Sequence, residues 1–263
     1  MLNRQTIIAD RLPLAVVITG GLGDIGSATG RRLAEDGHAV TLVDLADQDT
    51  GDRAVGAMLD SAPHHAGRLS YVQADVTDGS AVTDMIESLS QLDVMIANAG
   101  AVRSAPFLDI REDDWRHQLS VNLTGSFLCA QAAARRMVRE GTRGLLLFTG
   151  SWVASRPWPE ITAYTASKAG MEMVAKQAAR ELAPHGIRAN VLAPGIVLAG
   201  LAKSQLESDR GYAERAARAV PLGTLQTAEQ VAAAFSFLCS ADADYMTGST
   251  LTIDGGASLG SVD

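Results

Sequence analysis

The chain has 263 residues, 47% of them hydrophobic, with 25 glycines and a formal net charge of −8. That length and apolar share suit one large α/β domain with a substantial core, and an acidic chain with no basic run to meet phosphates speaks against a nucleic-acid partner. No apolar run reaches the length of a membrane span, Ile7–Asp10 is too short for a signal segment, and Cys129 and Cys239 fall in apolar helical patterns; a cytoplasmic protein with two buried free thiols and no membrane partner is expected.

Residues 1–13 are polar, end at Pro13 and read as an N-terminal extension to a single domain over 14–263. Leu14–Thr19 is a continuous β-branched apolar run, a buried first strand. It enters T-G-G-L-G-D-I-G, Thr19 to Gly26, after which Ile25, Ala28, Thr29, Leu33 and Ala34 form a helical stripe ending at Gly37. Strand, glycine turn and helix together make a site for a dinucleotide pyrophosphate, because the helix N-terminus offers unpaired N–H groups and glycine lets the ligand approach. Gly20, Gly23, Asp24, Ile25 and Gly26 are therefore cofactor candidates, a plain tight turn being the alternative.

Ala39–Val43 reads as the second strand, ended by Asp44 eighteen residues after Gly26. A carboxylate there accepts hydrogen bonds from the adenosine ribose and repels a 2′-phosphate. Leu45 follows it and the glycine turn holds no Lys or Arg, so NAD rather than NADP is expected. Asp47–Ser61 reads as a helix. The His64–His65 pair in the next loop lacks a third ligand at metal spacing, so no metal site is expected. Leu69–Ala74 is a third strand, ended by Asp75 and Val76; Asp78 caps a helix, and Leu92–Ala97 is a fourth strand ended by Asn98, Ala99 and Gly100.

Glu112–Arg139 carries a long helical pattern interrupted by Asn122. Asparagine is disfavoured mid-helix, so that residue marks a backbone distortion or a buried polar role. Leu145–Phe148 is a fifth strand and delivers Ser151. Thr162–Pro184 is a helix that stacks Tyr164 and Lys168, four residues apart, on one face. A free phenol ionises near pH ~10 and is a poor base at neutrality; a fixed ammonium beside it is expected to lower that value. Tyr164 then suits general acid–base work, with Ser151 holding the oxygen that exchanges the proton. Ile187–Leu192 is a sixth strand, followed by Pro194 and Gly195. Residues 196–222 read as a substrate lid, Ala228–Cys239 as a helix and Thr250–Ile253 as the last strand. The alternation implies a doubly wound, Rossmann-type parallel sheet of about seven strands with helices on both faces. Ligand is expected at the carboxyl ends of the strands, where Gly20, Asp44, Asp75, Asn98, Ser151 and Pro194 all fall.

On these motifs, in this order and spacing, residues 14–256 resemble the classical short-chain dehydrogenase/reductase family. The resemblance implies reversible hydride transfer between nicotinamide and a carbon bearing a hydroxyl or carbonyl. Tyr164 would be the acid/base, Ser151 the substrate anchor, Lys168 also a ligand of the nicotinamide ribose, and Asn122 the holder of a relay water. Asp75 and Val76 would meet the adenine, Asn98, Ala99 and Gly100 would flank the adenosine ribose and the sheet, and Pro194, Gly195 and Val197 would pass near the nicotinamide. A homotetramer is the common assembly, and the small-residue face of the Thr162–Pro184 helix is compatible with it. Two positions depart from the pattern: Asp24 replaces the middle glycine of the turn, and Ala199 replaces a threonine that usually bonds the carboxamide.

The segment Arg156-Pro157-Trp158-Pro159-Glu160 is similar to one in bacterial glucose 1-dehydrogenases of the family, which implies a small-molecule substrate of the sugar or polyol class. Trp152 and Trp158 would pack on a sugar face, loop core being the alternative. Arg103, Arg156 and Lys203 are expected at the pocket mouth, where they would bind an acidic or sulfonated sugar, solvated cations being the alternative. The competing functions are a 3-oxoacyl or other ketone reductase and a non-catalytic dinucleotide sensor.

Overall fold

The computed structural model describes residues 13–61, 68–208 and 210–260, so residues 1–12 of the expected extension and the His64–His65 pair lie outside the described residues. Strands β1 (Ala15–Thr19), β2 (Ala39–Asp44), β3 (Leu69–Gln73), β4 (Val94–Ala97), β5 (Leu145–Thr149), β6 (Arg188–Pro194) and β7 (Thr250–Ile253) pair in parallel in the order β3-β2-β1-β4-β5-β6-β7. The order reverses between β1 and β4, which are joined in register from Val16–Val94 to Ile18–Ile96. Chains leave the sheet in opposite directions at such a point and open a crevice beyond the strand ends.

Strands buried on both faces read as continuous apolar runs, and successive side chains go to opposite sides. Val17, Met95, Leu146 and Phe148 enter one core with α3 (Gly79–Ser88), α5 (Ser126–Glu140) and α6 (Thr162–Leu182). Val16, Ile18, Leu145 and Leu147 enter the other, with α1 (Asp24–Glu35), α2 (Gln48–Ser61) and α9 (Ala228–Cys239). Cys129 and Cys239 are free and buried in these two separate cores, and burial pushes both thiols up to about 12. Among the described residues no helix is long and apolar enough to cross a membrane.

The expected Asn122 distortion is present. Helix α4 (Glu112–Leu119) and α5 are joined by a π-helical turn, Ser120–Gly125, that holds Asn122. The segment expected to act as a lid folds as α7 (Gly200–Ser208) and α8 (Arg210–Ala219).

Asn98 ties three strand tips together. Its amide nitrogen donates to the Thr19 and Gly20 carbonyls at 3.0 and 3.2 Å, and its amide oxygen accepts from Thr149 Oγ1 at 2.9 Å. Removing such a hub leaves polar groups at the sheet end without partners. Asn98→Ala is expected to lower unfolding free energy by about 2–3 kcal/mol, read from urea denaturation, and to weaken dinucleotide binding by loosening the Gly20 turn.

Candidate active site

A cleft of about 640 Å³ runs along the carboxyl ends of the strands, from Asp44 and Asp75 at one end to Ser151, Tyr164 and Tyr212 at the other. Its size falls within the range of small-molecule sites. At the first end, Gly20 has φ +62°, a left-handed conformation that glycine adopts without strain. A Cβ on Gly26 would collide with the Gly20 carbonyl oxygen. The turn therefore packs too closely for any side chain at either place. Helix α1 is preceded by Gly23 as its N-cap, which supplies no side-chain cap, so its first-turn N–H groups are left at the cleft with the positive end of the helix dipole. These groups fit the pyrophosphate of a dinucleotide.

Asp24, which replaces the usual glycine, does not intrude on this cradle. Its Oδ2 accepts from the Gly200 backbone N–H at 2.8 Å, linking the turn to the first residue of α7. Asp44 is oriented by two backbone donors, Leu22 N–H at 3.1 Å and Leu45 N–H at 2.8 Å. Asp75 accepts from Thr77, and Val76 is buried beside it. Asn98, Ala99, Gly100, Pro194, Gly195, Val197 and Ala199 all line the cleft. Gly195 is fixed by hydrogen bonds to the Ile253 carbonyl and the Gln226 side chain, both 3.1 Å.

At the other end, β5 delivers Thr149 and Ser151 while α6 delivers Tyr164 and Lys168. Lys168 is 3% exposed, and its Nζ donates to the Thr149 carbonyl at 2.7 Å. Burial pushes its pKa down to about 8. Tyr164 hydrogen-bonds Ser151, and burial holds its pKa above the usual 10.0, a hydrogen bond with Ser151 opposing and the nearby Tyr212 adding to the rise. The expectation that Lys168 lowers it is not met. The ammonium is committed to Thr149 and stands 5.5 Å from the Tyr164 ring centroid, so desolvation of the phenol prevails. Asn122 is wholly buried, and its amide is also committed: Oδ1 accepts from Ala101 N–H at 2.7 Å, and Nδ2 donates to the Ala101 carbonyl and Ser167 Oγ.

Trp152 and Trp158 pack edge to face at 5.2 Å, and Trp158 packs likewise on Tyr212 at 6.3 Å. Trp158 lines the cleft as expected; Arg103, Arg156 and Lys203 do not. Arg103 is turned to Asp114 on α4 at 2.5 Å, and Arg156 and Lys203 are exposed outside the wall. Glu160, in the Arg156–Glu160 segment already singled out, lines the wall, and His117, Tyr212 and Arg215 do so without having been named by the sequence reading. Glu160 has φ +65°, a conformation costly for a side-chain-bearing residue. A tyrosine and an arginine three apart in the helix-compatible stretch 196–222 are the only sequence signal for the last two.

A family described as enoyl-(acyl carrier protein) reductase matches residues 22–258. The chain is 37% identical over 247 residues to the short-chain dehydrogenase/reductase eriH of Hericium erinaceus, covering 91% of this chain and 96% of that one. It is 36% identical over 256 residues to the (3R)-3-hydroxyacyl-CoA dehydrogenase of Mus musculus, covering 94% and 96%. The crystal structure of a gluconate 5-dehydrogenase from Burkholderia cenocepacia, in complex with NADP and tartrate, superposes with a TM-score of 0.86 at 28% identity, covering 97% of this chain and 100% of that one. The chain belongs to the short-chain dehydrogenase/reductase family of oxidoreductases, whose fold binds a nicotinamide dinucleotide.

The buried ammonium makes a pH-dependent demand on stability. Below pH 8 Lys168 is charged in both folded and unfolded chains, and the folded one bears the full desolvation cost. Between about 8 and 10.5 the folded group is neutral while the unfolded one still binds a proton, so this cost is relieved as pH rises. A Lys168→Met variant should therefore gain most over the wild type at or below pH 8, and the gain should shrink towards pH 10.5. Paired urea unfolding curves at pH 7, 8, 9 and 10 check this.

Proposed function

We propose that the chain is an NAD-dependent dehydrogenase that oxidises a hydroxyl of a sugar or polyol, with Tyr164 as acid/base. The observation that carries this reading is the convergence of Ser151, Tyr164 and Lys168 in one cleft whose far end is closed by Asp44. When bound, the dinucleotide supplies the hydride acceptor at its nicotinamide ring. Asp44 would accept from the adenosine ribose hydroxyls. Its neighbour Leu45, 63% exposed, offers no cation to a 2′-phosphate. Gly20, Gly23, Asp24, Ile25 and Gly26 would carry the pyrophosphate on backbone N–H groups. Asp75, Val76, Asn98, Ala99 and Gly100 would bracket the adenosine, and Pro194, Gly195 and Val197 the nicotinamide.

Ser151 holds the substrate oxygen within reach of Tyr164, which takes the hydroxyl proton. Lys168 would bond the nicotinamide ribose and keep positive charge beneath the phenol. Asn122 acts as a positioning residue: its amide fixes Ala101 and, through Ser167, the helix turn between Tyr164 and Lys168. At neutral pH this site rests with a protonated phenol above a charged lysine. That form is ready to give a proton, as reduction requires; oxidation requires the phenol proton to leave first. The rate of alcohol oxidation should therefore climb with pH from 7 to 10 as the phenolate fraction grows, while carbonyl reduction should keep its proton donor until the phenol itself titrates above 10.0.

The aromatic wall of Trp152, Trp158 and Tyr212 and the likeness to a gluconate dehydrogenase bound to tartrate support a polyhydroxylated substrate. A second reading, reduction of 3-oxoacyl or other ketones with NADPH, is favoured by the murine 3-hydroxyacyl-CoA relative and the NADP in that same neighbour. The proposal includes a homotetramer built on α5 and α6, whose outer faces expose Phe127 and Met173.

NADH formation across neutral aldoses, polyols and sugar acids, repeated with NADP, separates the two readings. Tyr164→Phe is expected to lower kcat/KM by about 10²–10⁴-fold with NADH binding preserved. Asp44→Ala is expected to raise the NADP-to-NAD ratio of kcat/KM at least about tenfold. A wild type that clearly prefers NADP would overturn the role given to Asp44.

A further inference from the structure

Among the described residues the cleft holds one arginine, and it is not among those that the sequence singled out. Arg215 lies on α8 in the wall that also carries Trp158, Tyr164 and Tyr212. Its Nε is shielded from solvent and has no hydrogen-bond partner among the described residues, although the residue as a whole is only half-buried. A screened guanidinium N–H without an acceptor is a rare and costly arrangement.

Its neighbours do not neutralise it. Glu214, the next residue, is taken by Arg210 one turn earlier, at 3.0 Å. Among the described residues no carboxylate forms an ion pair with Arg215. The other acids of the cleft wall are committed or remote in role: Asp44 and Asp75 stand at the opposite end, Asp24 is bonded to Gly200, and Glu160 is exposed. Charge is therefore uneven along the cleft, with three carboxylates, Asp24, Asp44 and Asp75, at one end and Arg215 and Lys168, with the exposed Glu160, at the Tyr164 end. Lys168 is held by Thr149 and assigned to the nicotinamide ribose, which leaves Arg215, among the described Lys and Arg residues of the cleft, for the substrate.

We propose that Arg215 is a specificity residue that binds an anionic group of the substrate, a carboxylate or a comparable oxyanion, carried by the molecule whose hydroxyl meets Ser151 and Tyr164. This rests on the dehydrogenase reading and narrows its substrate class from sugars and polyols to their acids. A guanidinium offers parallel N–H groups to a carboxylate, which a neutral polyol cannot match with charge. Arg215 and Tyr212 share α8, and Tyr212 lies close enough to Tyr164 to bear on its ionisation. Binding of the anion on α8 would thus draw the lid helix onto the substrate beside the reacting hydroxyl.

The test uses matched pairs, a sugar acid and its neutral polyol such as gluconate and glucitol, with wild type, Arg215→Leu and Arg215→Lys. Binding is measured by calorimetry on the enzyme–NADH complex, and turnover by NADH formation. The acid should bind the wild type about 10–100-fold more tightly than the polyol. Arg215→Leu should abolish that preference through KM for the acid while NADH affinity stays unchanged, and Arg215→Lys should restore part of it. Equal binding of acid and polyol by the wild type, or a preference that survives Arg215→Leu, would overturn the proposal. A preference lost in Arg215→Leu in a protein that turns over neither compound would sustain the anion site and sink the dehydrogenase reading.

Discussion

The site depends on keeping a lysine ammonium inside the protein. Lys168 is almost fully buried, and its Nζ donates to a backbone carbonyl, that of Thr149, rather than to a carboxylate. An ammonium in such surroundings loses much of its hydration, which is why its pKa falls to about 8. The fold tolerates this because the group remains protonated at neutral pH and its one strong partner is fixed by β5. Tyr164, a turn earlier on α6, meets the same dry environment with the opposite sign of shift. The two groups therefore sit further apart in proton affinity than free lysine and tyrosine side chains do in water, and in the reverse order. An alcohol and a dinucleotide entering the cleft have to move that balance before a proton can pass.

The parallel sheet supplies the rigidity. Thr149 faces both ways: its carbonyl holds Lys168 and its hydroxyl holds Asn98, which in turn holds the Thr19–Gly20 turn. A single chain of hydrogen bonds thus joins the catalytic end of the cleft to the glycine turn across β5, β4 and β1. The π-helical turn at Asn122 adds a second brace from α4–α5 to α6 through Ser167. Over these fixed parts lie α7 and α8, attached by the Asp24–Gly200 contact on the dinucleotide side and by the aromatic cluster on the substrate side.

The sheet was readable because strands buried on both faces must be continuous apolar runs, and six of these runs lead into residues now found at the cleft, Gly20, Asp44, Asp75, Asn98, Ser151 and Pro194. The broken helix at Asn122 was readable because asparagine has no business in a helix interior without a partner. Two things were not. The direction of surface side chains depends on packing between separate elements: Arg103 reaches Asp114 on α4, a pairing that periodicity does not encode, and Arg215 enters the cleft because α8 rests on Trp158 and Tyr164. The sign of the Tyr164 shift was also hidden, because a four-residue spacing reports proximity to a cation but not how deeply the phenol is sunk.

The most direct measurement is the titration of the Tyr164 phenol in the free protein, followed by carbon-13 NMR of ring-labelled tyrosine with Tyr164→Phe for assignment. The buried-pair account predicts a midpoint above the ordinary tyrosine value of 10.0. A midpoint at or below that value would mean that the lysine, not burial, governs the phenol, and would contradict the account.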